Sequence, residues 1–198
     1  MTTVPKRLAV KFSLAQTPQL QPADIMPIFQ RWIQEHTVPG MLIDVIDYKH
    51  VLDGPGVVLV ADEADYAYDL GEGQPGLNYV RKRDLPDSLP AALRLSFEHA
   101  LLGARALQAE APDDLVFDFS AAKISFLDRM RYRNLPEVFD AIQVEVAAIV
   151  GEIYGAPVDI SRVHDDPRRP LALRAKASAG QLDLDAIASQ LRASRQTA

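Results

Sequence analysis

Residues 41–68, MLIDVIDYKHVLDGPGVVLVADEADYAY, decide the fold class. Two runs rich in β-branched and aromatic residues, 41–51 and 56–68, flank Asp53-Gly54-Pro55-Gly56. Turn residues between two such runs mark a hairpin, because Gly and Asp tolerate backbone angles that a continuing strand does not use. LNYVRKR (77–83) supplies a third consecutive strand. Short connections of this kind join antiparallel neighbours, since parallel ones need a crossover of a dozen residues or more.

Working outward, LAVKFSL (8–14) reads as a strand. PADIMPIFQRWIQEH (22–36) reads as a helix, with Ile25, Ile28, Phe29, Trp32 and Ile33 at helical spacing and Pro39-Gly40 ending it. A long helix is expected at about 88–110. It carries one apolar stripe of Leu89, Leu93, Phe97, Leu101 and Ala104 and a second of Leu95, Leu102 and Ala106. A helix apolar over most of its circumference is covered on two sides, by a layered core or by a dimer partner.

DLVFDFSAAKISFLDRMRYR (114–133) reads as strand or hairpin. Asn134 and Glu137 have capping-box spacing before a helix whose buried face runs from Leu135 to Ile153, with Gly155 ending it. VDISRV (158–163) and LALRAKA (171–177) give two more strands, and Leu184, Ile187, Ala188 and Leu191 suggest a short docking helix. The expectation is an α+β protein with mainly antiparallel sheet, two or three packed helices and a candidate duplicated βαββ unit. It would form a single domain over 1–180, with pseudo-repeat halves 1–86 and 114–178 joined by helix 88–110, and a C-terminal helix or tail over 181–198.

Composition narrows the function. Apolar residues make up 48% and charged residues 24% of 198, the balance of a soluble globular domain. No run is long enough for a membrane span, and the first residues lack the apolar core of a signal peptide. With no cysteine, disulfides, thiolate metal sites and cysteine nucleophiles are excluded, and a cytoplasmic setting is expected. The net charge of −6 argues against nucleic acid as a partner. The acidity is uneven: residues 1–72 hold five Lys and Arg against ten Asp and Glu, and residues 73–198 hold sixteen against seventeen.

Gly71 to Gly76 formally spells G-x-G-x-x-G, but Pro75-Gly76 leads into a strand rather than a helix, so the phosphate-binding geometry is absent. The four histidines make no metal-ligand pair; His99 reads as a core or interface histidine and His36 as a helix-end residue, and no metal or cofactor is expected. If 41–51 pairs with 56–66 so that partner numbers sum to about 109, Asp44 lies opposite Asp65 and near Glu63, with Tyr48 and His50 on the same face. Opposed carboxylates need protons or cations, and a shared proton is what a general acid requires. Asp44, Glu63, Asp65, His50 and Tyr48 are therefore the catalytic candidates. The competing reading is structural: with 62–70 against 77–83, partner numbers summing to about 147, Asp65 faces Lys82 and Tyr66 faces Arg81. Arg129, Arg131 and Arg133 alternate and would project together from an extended segment, making with Arg174 a candidate site for a small anionic ligand. That basic face could equally meet the acidic N-terminal third, within the chain or across a dimer.

PIFQRWIQEH, LIDVIDYKHVLDGPGVVLVADEADY and PGLNYVRKR together resemble a bacterial protein family of similar length to which no function is attached. The likeness covers roughly the first eighty residues and extends loosely over the rest. It implies a bacterial, cytoplasmic, stand-alone protein and brings no site residue with it. The expected function is thus a binding or regulatory role without catalysis, carried out by a homo-oligomer, specifically a dimer. The alternatives are an enzyme built on the Asp44, Glu63 and Asp65 carboxylates and an anion-binding regulator built on the arginines.

Overall fold

A computed structural model describes residues 4–51, 53–178, 185, 187–189 and 191. Its strands are β1 (Leu8–Leu14), β2 (Leu42–Asp47), β3 (Val57–Ala61), β4 (Ala64–Asp69), β5 (Gly76–Arg81), β6 (Phe117–Phe126), β7 (Val158–Arg162) and β8 (Leu171–Ala177). The helices are α1 (Pro22–Glu35), α2 (Leu89–Glu110) and α3 (Pro136–Tyr154), with a 3-10 turn at Gly71–Gly73. The sheet order is β2-β3-β4-β5-β1-β6-β8-β7. The ladders β2–β3, β3–β4, β4–β5, β6–β8 and β7–β8 are antiparallel, so the chain is α+β. Among the described residues no helix is long and apolar enough to cross a membrane.

Two compact units divide the chain. One, the acidic unit, comprises Lys11–Asp84 and His99–Asp118. The run expected as one strand over 56–68 breaks here at Asp62 and Glu63 into β3 and β4. Four strands, β2 to β5, therefore form a meander where three were expected. The register is Val45 opposite Leu59, Leu59 opposite Tyr66 and Tyr66 opposite Tyr79, which makes one transverse row. Leu59, Tyr66 and Tyr79 in that row are completely buried. α1 packs on β2 and β3 and buries Ile25, Phe29 and Trp32, the expected 3.6-residue stripe. Its entry is fixed by Asp24, whose carboxylate accepts the Gln21 N–H at 2.8 Å. The C-terminal part of α2 lies close over the tyrosines because Gly103 has no Cβ. One built there would stand 2.6 Å from Leu77 Cδ2 and 3.0 Å from Tyr66 Cδ1.

A second interior feature of this unit is polar. Lys11 and Asp69 form an ion pair at 3.4 Å, with side chains only 5% and 17% exposed. The same carboxylate accepts the Gly71 N–H at 2.6 Å and the Asn78 amide at 3.1 Å, and the Lys11 ammonium donates to the Gly71 carbonyl at 3.3 Å. A buried charge persists only when it is paired and hydrogen-bonded, and here one carboxylate ties β1, β4, β5 and the 71–73 turn together.

The other unit contains Leu85–Glu98 and, from Phe119 onward, β6, α3, β7 and β8. α3 packs on β7 and β8 and buries Ile142, Val146, Ile149, Val150, Ile153 and Tyr154. Gly155 closes it in the left-handed conformation, φ 64°. The expected capping box does not form: the N-cap is Leu135, without a side-chain bond. Asn134 is instead buried one residue earlier, where its amide donates to the carbonyls of His164 (3.0 Å) and Asp166 (2.8 Å). Each half of the chain does run strand, helix, hairpin, but the first adds the β4–β5 hairpin. Of the expected C-terminal helix over 181–198, Asp185, Ile187–Ser189 and Leu191 are helical and Ile187, Ala188 and Leu191 are buried; the rest lies outside the described residues.

Along α2 the first apolar stripe (Leu89, Leu93, Phe97, Leu101, Ala104) is buried within the chain, and Leu95, Leu102 and Ala106 are half-buried. The first stripe thus lies in the protein's own core, and the second is only partly covered.

Candidate functional site

The acidic carboxylates are dispersed by the registers. Because β2 pairs with β3 at partner numbers summing to 104 rather than 109, Asp44 lies opposite Val60. Asp65 lies opposite Val60 from the other side, on β4. Two inter-strand spacings, about 10 Å of backbone, therefore separate the two aspartates that were expected to face each other. Asp44 is exposed and accepts the N–H of Val45 at 2.8 Å. Asp65 bonds the Lys82 ammonium at 2.7 Å. Lys82 was expected directly opposite it; Val80 holds that position, and the lysine reaches across the diagonal.

Glu63 occupies the β3–β4 turn and points the other way. Its Oε2 accepts the Met41 N–H at 3.2 Å, and its carbonyl accepts the N–H groups of Lys82 (3.0 Å) and Arg83 (3.2 Å). The backbone N–H groups of Glu63 itself and of Met41, then the charges of Arg81 and His99, hold its carboxyl below the usual glutamate range. Such a group stays ionised at neutral pH, so it can accept a proton or bond a cation but cannot act as a general acid. Asp47 is likewise lowered, chiefly by the N–H of Lys49 and then by that residue's ammonium at 3.0 Å. Asp62 pairs with Arg83 at 2.8 Å. Tyr48 and His50 lie on the β2–β3 connection with their rings 6.2 Å apart. Of the catalytic candidates, Asp44 and Asp65 are thus separated by β3, and Glu63 is engaged at the β3–β4 turn.

His99, read from sequence as a core histidine, lies inside the acidic unit with Nδ1 3.1 Å from the Tyr79 hydroxyl and its ring edge-on to that tyrosine. Tyr66 stands against Tyr79 at 5.1 Å and donates to the Pro39 carbonyl at 2.9 Å. Tyr66 was expected opposite Arg81; Tyr79, to which sequence reasoning gave no role, holds that position. Their period-2 alternation on β4 and β5 was the available signal that both face the helix.

Of the arginines, Arg129, Arg131 and Arg133 follow β6 in a turn instead of continuing an extended strand, so alternation does not align them. The turn is built from the inside. Tyr132 is buried, its ring 4.6 Å from Phe126, and its N–H bonds the Asp128 carbonyl at 2.8 Å. Arg131 is tethered to the Val4 carbonyl at 2.9 Å and to Asp128 at 3.6 Å. Arg129 and Arg133 are exposed, and between them Met130 is 92% exposed. Arg174 lies elsewhere: Arg133 bridges to Pro170, four residues before it, and Arg174 sits on β8 opposite Lys123 and Ser161. Four strand residues span roughly 13 Å, so the four arginines do not make one clamp.

β2 ends the strand order, and its surroundings are unusually apolar for an edge. Met41 is 68% exposed and Ile43 56%, with Ile46 and Val51 also exposed. Ile43 falls where the β2–β3 register shifts between Leu42 and Asp44, and such a bulge re-aims the extra side chain out of the ladder. Among the described residues no group of three or more His, Asp or Glu is placed to hold a metal ion. No family model, no curated protein and no solved structure matches this chain.

Proposed function

We propose that this is a cytoplasmic homodimeric α+β protein with a binding rather than a catalytic role, and that the β2 edge is its contact surface. The observation that carries the reading is the exposed apolar pair Ile43 and Ile46 on the edge strand β2, with exposed Met41 just before it and Val51 on the connection after it. Folded proteins blunt free edges, because open N–H and C=O groups beside apolar side chains recruit further chains. Here the bulge and Asp44 limit indiscriminate pairing while leaving the apolar surface available. The carboxylates favour this reading over an enzyme: Asp65 has Lys82, Asp62 has Arg83 and Asp47 has Lys49, as a charged surface does when its acids are neutralised one by one.

Light scattering coupled to size exclusion tests it. At micromolar concentration the chain is expected at about twice its 21.8 kDa mass. Ile43→Lys, at an exposed bulge position that the fold does not need filled, is expected to shift it to the monomer with an unchanged circular dichroism spectrum. A wild-type protein that is monomeric throughout refutes the proposal.

A further inference from the structure

Two surfaces of this chain match in character and oppose in charge. The turn after β6 presents Met130 between two exposed arginines, Arg129 and Arg133. The β2 edge presents Met41, Ile43 and Ile46 around the exposed Asp44. Both sets of side chains are exposed among the described residues.

We propose that the occupant of the β2 edge is the Arg129–Arg133 turn of a second copy, with Met130 entering the apolar patch and Arg129 and Arg133 flanking Asp44. This rests on the homodimer reading above and names the surface that reading lacks. Three observations carry it. The turn is preorganised: Tyr132 and Asp128 anchor it and Arg131 is tethered to Val4, so the flanking arginines are displayed without the cost of ordering a loop. Met130 is the most exposed large apolar side chain of the set, and a flexible thioether fits an irregular patch such as a bulged edge.

The third observation is what β2 would meet in the alternative, pairing with its own copy. Asp44 and Asp47 lie in a six-residue strand, so an antiparallel β2–β2 ladder gathers four aspartates into a few rungs, which like-charge repulsion disfavours. An arginine-bearing partner turns the same aspartate into an attraction. Arg, with its planar fork, suits a carboxylate that still has an oxygen open, and only one oxygen of Asp44 is engaged by Val45. In a two-fold dimer the pair of surfaces is used twice, so each charge contact counts double.

Charge reversal tests this on the full chain. Asp44→Arg alone, and Arg129→Asp with Arg133→Asp, are each expected to weaken dimerisation at least about tenfold, as reversal of a facing pair does. Mixing those two variants is expected to restore a dimer containing one copy of each. In that mixture one contact is wild-type and the other has both signs reversed. Sedimentation velocity with one variant fluorescently labelled reads the outcome, and circular dichroism confirms that both are folded. A wild-type dimer indifferent to the arginine reversals overturns this inference but leaves the homodimer reading standing, with β2–β2 pairing as its form. Weakened variants that fail to recover on mixing overturn it too. A monomeric wild type removes both.

Discussion

Replacing Asp69 by Ala tests the claim that one carboxylate holds the interior of the acidic unit. The substitution deletes the acceptor of three contacts: the Lys11 ammonium at 3.4 Å, the Gly71 N–H at 2.6 Å and the Asn78 amide at 3.1 Å. It also leaves an ammonium whose side chain is 5% exposed facing a space where its counter-charge stood. Removing one partner of a buried pair typically costs about 3–5 kcal/mol, because the remaining charge has lost water without gaining compensation. The Gly71 carbonyl, which still accepts from Lys11, puts the expectation near the lower end, about 3 kcal/mol. Urea unfolding followed by circular dichroism gives the number, and the double variant Lys11→Met with Asp69→Ala gives its cause. If the penalty is the orphaned charge, the double variant recovers about half or more of the loss, although it has lost more native atoms. A single variant costing less than about 1 kcal/mol, or a double variant simply additive with Lys11→Met, would refute the reasoning.

Two further outcomes follow from the packing. Gly103→Val brings a branched side chain to a helix face already 2.6 Å from Leu77 Cδ2 at the Cβ position. Helix propensity would gain a few tenths of a kcal/mol at most, while overpacking against two fully buried residues costs about 1–3, so net destabilisation in thermal unfolding is expected and unchanged stability would refute the close approach. Burial, then the charge of Asp114, pushes the Tyr68 hydroxyl up to about 12; burial, then Glu145, does the same for Tyr132. Both are raised above the unfolded value near 10, so their stabilisation is complete below that pH and is lost as pH climbs from about 10 to about 12. An ultraviolet phenolate titration should therefore show Tyr68 and Tyr132 ionising late, together with unfolding; all six tyrosines ionising together near pH 10 in a folded protein would contradict the burial.

How far the sequence reveals this fold depends on which kind of information each element uses. β1, α1, β5, α3, β7 and β8 lie close to where periodicity and turn residues put them, because each buries one face by its own spacing. The break between β3 and β4 is not of that kind. VVLVADEADYAY has no Gly or Pro to interrupt it, and only Asp62-Glu63, an acidic pair between two apolar runs, marks the turn. That break, more than either register, changed the site reading. The β4–β5 register was expected at partner numbers summing to 147 and is found at 145. A slip of two residues keeps every side chain on its face, and so Lys82 still reaches Asp65 across the diagonal. The β2–β3 register was expected at 109 and is found at 104. With 64–69 forming a strand of its own, Val60 stands between Asp44 and Asp65 in one transverse row, so the two aspartates share a face but lie two strand spacings apart. An ion pair of long side chains survives an even error in register, whereas a convergent carboxylate site does not survive a strand inserted between its members. Asn134 is a third case: its spacing to Glu137 is that of a cap, but the 164–166 loop takes its amide, and nothing local in the sequence encodes that competition. What the chain exposes, finally, is legible only after folding. Met130 and Ile43 sit among ordinary apolar residues in the sequence, and only the tethered turn and the bulged edge set them apart by exposing them.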